Sequence, residues 1–153
     1  MNNDAAPAHE ADDALGGATC ALRLFIVEDS RVIRELLIAT LQEFFDVDVL
    51  GTAGDEATVV GWLHGPDARR ADVLMVDLFL EQGSGLSVLK AASDLDVHCL
   101  RVVLTNHATP AMRERCRELG AARVFDKSTE LNELVQFLGG LDQRRDAGGA
   151  ASA

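Results

Sequence analysis

The run Val73-Leu74-Met75-Val76 closes on a carboxylate, Asp77, and it constrains this chain more than any other stretch. An apolar run of this length between polar residues fits a strand buried on both faces. Such a strand requires a sheet with a layer on each side. Asp77 stands where that strand leaves the core, and a buried charge without a partner is costly. The carboxylate is therefore either solvated at the strand end or held there for chemistry.

The same pattern recurs along the chain. Residues 22–27 read as a first strand, followed by Glu28 and Asp29. Ser30 caps a helix with Ile33, Leu36, Leu37, Thr40, Leu41 and Phe44 at helical spacing. Residues 47–50 form a short second strand, and Gly51 and Gly54 flank the turn into a helix capped by Asp55. That helix carries Trp62 as packing and stops at Gly65-Pro66-Asp67. After Asp77, the loop Glu81-Gln82-Gly83-Ser84-Gly85 enters a helix with Leu86, Leu89 and Ala92 on one side. A fourth strand ends at Thr105, and Thr109-Pro110 starts the next helix. Its Arg113, Glu114, Arg115, Arg117 and Glu118 read as a solvated face, and Gly120 stops it. Arg123-Val124-Phe125 is a fifth strand, Asp126-Lys127-Ser128 follow, and the last helix ends at Gly139-Gly140.

Alternating β and α units imply an α/β fold, a doubly wound parallel sheet with helices on both faces, because each crossover is right-handed and covers a face. The domain is expected over 22–141, between a disordered acidic tail (1–21) and a second disordered tail (142–153). With 14 basic and 25 acidic side chains the net charge is −11, which argues against direct nucleic-acid binding. The cysteines at 20, 99 and 116 form no CxxC, so neither a disulfide framework nor zinc is expected, and a reduced cytoplasmic setting is the default. No apolar run approaches the ~20 residues that span a bilayer. No Lys or Arg precedes Arg23, so no signal peptide is read.

A sheet of this kind binds its ligand at the carboxyl ends of its strands. Glu28, Asp29, Asp77, Thr105 and Lys127 all fall at such ends. Carboxylates brought together there repel one another, by up to roughly several kcal/mol for each close pair at an effective dielectric near 20. A compensating cation is implied, and Mg²⁺ suits hard oxygen ligands and a phosphate oxygen. A carboxylate in that setting can attack a phosphoryl group, with a hydroxyl and a fixed positive charge on the phosphoryl oxygens.

These residues, with Phe25-Ile26-Val27-Glu28-Asp29, Val76-Asp77, Gly85-Leu86, Val103-Leu104-Thr105, Leu119-Gly120-Ala121 and Lys127 in that order, resemble the response regulator receiver domains of bacterial two-component signalling. The resemblance implies a flavodoxin-like strand order of 2-1-3-4-5. It also implies that Asp77 is the phospho-acceptor, that Asp29 ligates Mg²⁺ directly and Glu28 through water, and that the Phe79 backbone carbonyl is a further ligand. Thr105 becomes the switch hydroxyl and Lys127 the phosphoryl-binding cation. The partners implied are a sensor histidine kinase or phosphotransfer protein and a downstream protein target, with no membrane or direct nucleic acid. The expected function is that of a single-domain response regulator and not an enzyme, since it catalyses only its own modification.

The chain departs from the family pattern at Glu81 and Ser128, where proline is common, and at Val124, where an aromatic is common. Phe125 is adjacent but on the opposite side of the strand. Ser128 predicts a trans Lys127–Ser128 peptide, because a non-proline cis bond costs about 3 kcal/mol. Phe79 and Asn106 flank the expected route of an attacking water, and His107 is read as an exposed loop histidine. The alternative reading is a phosphorylation-independent pseudo-receiver that acts as a binding module. An aspartate-nucleophile phosphatase lacks its second aspartate, since Phe79 stands there, and a flavodoxin phosphate cradle is incompatible with Glu28-Asp29.

Overall fold

The computed structural model describes residues 21–152, with side chains described through residue 141. Nearly all of the acidic tail read over 1–21 lies outside the described residues, as do Cys20 and Ala153. The elements run β1 (Leu22–Val27), α1 (Arg31–Phe44), β2 (Val47–Ala53), α2 (Glu56–Leu63), a 3₁₀ turn (Pro66–Arg69), β3 (Val73–Asp77), α3 (Gly85–Asp94), β4 (Leu100–Thr105), α4 (Pro110–Glu118), β5 (Arg123–Asp126) and α5 (Leu131–Ser152). Among the described residues the strands form one five-stranded sheet in the order β2-β1-β3-β4-β5. Every pairing is parallel. The strand order reverses between β1 and β3, so their carboxyl ends flank the switch-point crevice.

Alternating side chains divide the core into two layers. Phe25, Val27, Leu74, Val76, Val103 and Val124 face α2, α3 and α4, where Val59, Leu89 and Cys116 meet them. Leu24, Ile26, Val73, Met75, Val102, Leu104 and Phe125 face α1 and α5, where Leu37, Leu41, Leu134 and Leu138 meet them. Val124 and Phe125 therefore lie on opposite faces, as the strand period requires. Every residue of β3 is buried. This central strand is covered on both sides, which is why its sequence does not alternate.

Side-chain caps begin α1 to α4, at Ser30, Asp55 and Thr109 as the sequence implies and at Ser84 in addition. Ser30 Oγ accepts from the Ile33 amide, Asp55 from Thr58, Ser84 from Leu86 and Thr109 from Met112. Gly120, at φ +101°, supplies the left-handed turn after α4. Trp62 is half-buried and stacks on Phe25 with ring centroids 4.0 Å apart.

Three details differ from the sequence pattern. Of the apolar residues spaced along α1, Leu37 and Leu41 are buried, whereas Ile33, Leu36 and Phe44 stay exposed. The apolar arc of α1 is wider than the face the sheet covers. Strand β2 continues through Gly51 to Ala53, and the Phe25 ring lies where a Gly51 side chain would begin, 2.9 Å from an ideal Cβ. The last helix does not stop at Gly139-Gly140; its backbone is helical to Ser152, through most of the segment expected as a tail. A helical glycine costs only about 1 kcal/mol relative to alanine and ends a helix only where the chain turns left-handed.

Candidate functional site

Glu28, Asp29 and Asp77 meet at the switch-point end of β1 and β3, each offering a carboxylate oxygen within 4.8 Å of the others. Glu28 and Asp77 are buried, at 4% and 7% exposure, while Asp29 is half-buried. A backbone amide holds each of them. Ser30 N donates to Glu28 Oε2 (3.1 Å) and Phe79 N to Asp77 Oδ1 (3.2 Å). Glu81 N donates to Asp29 Oδ2 (2.8 Å) across the crevice. Gly85 lets the chain close behind Asp77, since a Cβ there would lie 2.4 Å from the Asp77 carbonyl oxygen. The loop bearing Glu81 is also tied to α2, with Glu56 N donating to Gln82 O (3.1 Å) and Ser84 N to Glu56 Oε1 (3.0 Å).

Lys127 crosses from the end of β5 to this cluster. Its ammonium donates to Glu28 Oε1 (2.6 Å) and Asp77 Oδ2 (3.0 Å). Burial by itself would lower the lysine pKa, but the hydrogen bond to Glu28 and the charge of Asp77 outweigh it and raise it above the ordinary value. For Glu28, burial is the largest influence and raises the carboxyl, while the Lys127 bond and the Ser30 amide oppose it. Three carboxylates against one ammonium leave the cluster with excess negative charge. An all-oxygen donor set with excess negative charge fits a hard divalent cation such as Mg²⁺. Phe79, whose carbonyl is the further ligand that the family resemblance implies, belongs to the loop that caps Asp77.

Thr105 is fully buried at the end of β4, with Oγ1 accepting from His107 N (3.1 Å). Its carbonyl accepts from Lys127 N (3.0 Å), so the β4 and β5 ends are joined directly. All the residues expected at the rim therefore come together there. Phe79, 52% exposed, meets His107 edge-on with centroids 4.8 Å apart.

Asp126, Arg113 and Glu130 carry structure that the sequence pattern does not signal. Among the described residues no peptide is cis, and the Lys127–Ser128 bond is trans. Asp126 Oδ1 accepts from Ser128 N (2.8 Å) and Thr129 N (3.2 Å), an Asx-type turn that shapes this loop without proline. Ser128 Oγ donates to Asn106 Oδ1 (3.2 Å). Arg113 Nε donates to Ala108 O (3.0 Å), Nη1 to Val124 O (2.9 Å) and Nη2 to Glu130 Oε1 (2.8 Å). Glu130 Oε1 also accepts from Asp126 N (2.8 Å). A single arginine thus spans three segments, although its neighbours Arg115 and Arg117 are solvated as read.

Comparison with known proteins places these features in context. The protein-glutamate methylesterase/protein-glutamine glutaminase 2 of Anaeromyxobacter dehalogenans is 26% identical over 92% of this chain and 46% of its own length. The transcriptional regulatory protein YvfU of Bacillus subtilis is 31% identical over 76% of this chain and 57% of its own. The chain thus spans about half the length of these curated relatives. Among solved structures, the signal receiver domain of NarL from Mycobacterium tuberculosis superposes with a TM-score of 0.69 at 22% identity, covering 80% of this chain and 97% of that one. The response regulator domain of Thermotoga maritima CheB gives 0.66 at 18%, covering 84% and 98%. These structural likenesses carry the fold alone. The sequence also matches the response regulator receiver domain over residues 24–138. A match that begins in β1 and ends in α5 is not confined to one motif, and on that ground the chain belongs to the response regulator receiver domain family.

Proposed function

We propose that this receiver accepts a phosphoryl group on Asp77 from a phosphohistidine on a sensor histidine kinase or phosphotransfer protein, in a Mg²⁺-dependent reaction. The observation that supports this best is the approach of Lys127 to both Glu28 and Asp77 inside a three-carboxylate cluster. Glu28, Asp29, Asp77 and the Phe79 carbonyl would hold the cation, which when bound offsets their charge and that of the phosphoryl oxygens. Asp77 supplies the nucleophilic oxygen. An oxygen–phosphorus bond forms as the donor's nitrogen–phosphorus bond breaks, and the bonding pair leaves with the imidazole. Lys127, bonded to Glu28 and Asp77, would follow the phosphoryl oxygens. Thr105 Oγ1 accepts from His107 N, which leaves its hydroxyl hydrogen to donate.

Modification then biases the loops that Thr105 and Lys127 anchor, and so changes contacts with a downstream protein. The net charge of −11 favours a protein over a nucleic acid as that target. In this reading the receiver domain itself catalyses only its own modification.

Melting in Mg²⁺ with a phosphate-mimicking beryllium fluoride tests the reading. At a hundredfold excess over Kd the complex gains about 2.7 kcal/mol, a rise of several degrees in Tm. Asp77→Ala abolishes the gain. No gain in the wild type would favour the pseudo-receiver.

A further inference from the structure

Arg113 bridges the two loops opposite the acidic cluster, beside the Ser128–Asn106 side-chain bond between them. One of these loops follows Thr105 and reaches Ala108; the other carries Lys127 and ends at Glu130. The Arg113 guanidinium donates to the Ala108 carbonyl, the Val124 carbonyl in β5 and the Glu130 carboxylate. Glu130 returns along the same loop to accept from the Asp126 amide, next to Lys127. Arg113 and Glu130 side chains are 29% and 31% exposed, so neither is a freely solvated surface group. The rigid fork of arginine can satisfy three acceptors in different directions, whereas lysine is a point charge on a flexible stem. The hydrogen bond from Arg113, followed by the Asp126 amide, holds the Glu130 carboxyl below its ordinary value.

We propose that Arg113, acting through Glu130, is a positioning residue that holds Thr105 and Lys127 in register with each other for phosphoryl transfer to Asp77. This rests on the function proposed above. Arg113 touches none of the reacting atoms; it acts through Ala108 on one side and through Glu130 and Asp126 on the other. The direct Lys127 N to Thr105 O bond is the seam that the clamp keeps closed. Misplacing a reacting group by about 1 Å can cost up to about a hundredfold in rate, so loosening this seam is expected to slow the transfer and leave the cation site intact.

The test measures labelling by acetyl phosphate against Mg²⁺ concentration for the wild type, Arg113→Gln, Arg113→Lys, Glu130→Ala and Glu130→Gln. Backbone amide exchange is followed at His107 and Lys127 in the same proteins. In both Arg113 variants and in Glu130→Ala, the rate at saturating Mg²⁺ falls about tenfold or more, while the half-saturating Mg²⁺ concentration stays unchanged. Glu130→Gln keeps the accepting oxygen and recovers most of the rate. Exchange at His107 and Lys127 rises together in Arg113→Gln. Wild-type labelling by Arg113→Gln, full rescue by Arg113→Lys, or faster exchange in only one loop would overturn the proposal. If the wild type takes no label, the function proposed for Asp77 fails; a joint rise in exchange then still supports the clamp between the loops, and its absence overturns that too.

Discussion

The two sides of the rim are built differently. On the acidic side, Glu28 and Asp77 are each fixed by an amide two residues further along, and Asp29 by the amide of Glu81. On the opposite side, Thr105 and Lys127 sit in loops that share one seam and one bridging arginine. Local fixation, as by the Ser30 and Phe79 amides, keeps the effect of a substitution near its own residue; the Asp29–Glu81 bond across the crevice is the exception among these amide bonds. Shared fixation makes effects travel together. The acidic side is thus suited to hold charge in place, and the opposite side to move as a unit when that charge changes.

The largest effect expected from breaking this contrast is at Lys127, whose ammonium reaches from the opposite side to Glu28 and Asp77 on the acidic side. Lys127→Met strands Glu28 and Asp77 in their buried positions, and losing one partner of a buried pair costs about 3–5 kcal/mol. Denaturant titration without Mg²⁺ should show that loss, and Mg²⁺ should restore more stability to the variant than it adds to the wild type. Equal Mg²⁺ gains would mean that the lysine and the cation do not share the same carboxylates.

Gly85→Ala sharpens the comparison from the acidic side. Its Cβ would lie 2.4 Å from the Asp77 carbonyl oxygen and 2.7 Å from Leu78 Cα, both backbone atoms. Overpacking of this kind costs about 1–3 kcal/mol, and Mg²⁺ affinity should fall with it. Amide exchange at Lys127, on the other side, should change little. Phe79→Asn opens the edge-on contact with His107, so the phosphorylated protein should decay severalfold faster; unchanged or slower decay would remove Phe79 as a shield.

The smallest effect expected is one of pH. The folded-state pKa of Glu130 is lowered, mainly by the Arg113 hydrogen bond. Its contribution to stability is therefore present above the ordinary glutamate value of about 4.5 and is lost as pH falls through the lower folded value. The Tm difference between the wild type and Glu130→Gln should be constant near neutrality and shrink in acid. A difference that grows on acidification would reverse the sign assigned here.

What could be read from the sequence follows the same division. Strands, caps and the rim carboxylates are signalled by local pattern: an apolar run, a capping hydroxyl, a polar residue at a strand end. Arg113 lies among Glu114, Arg115 and Arg117, and nothing in that spacing distinguishes the one arginine whose acceptors are distant in sequence. The Asp126 turn was hidden likewise, because the absence of proline at Ser128 announces a different loop without saying how it is built. At α1 the pattern overstated burial, since hydrophobic spacing marks a possible face and not the width the sheet can cover. Gly139-Gly140 signals a stop only where the backbone turns left-handed, and here it does not.

Asp77 is the residue on which the proposed chemistry stands or falls. The direct measurement is intact-mass labelling by acetyl phosphate and Mg²⁺, comparing the wild type with Asp77→Asn. The expected result is one phosphoryl group on the wild type, not formed when Mg²⁺ is chelated before the donor is added, and never formed on the variant. Equal labelling of the variant, or no label on a wild type shown to bind Mg²⁺, would contradict Asp77 as the acceptor.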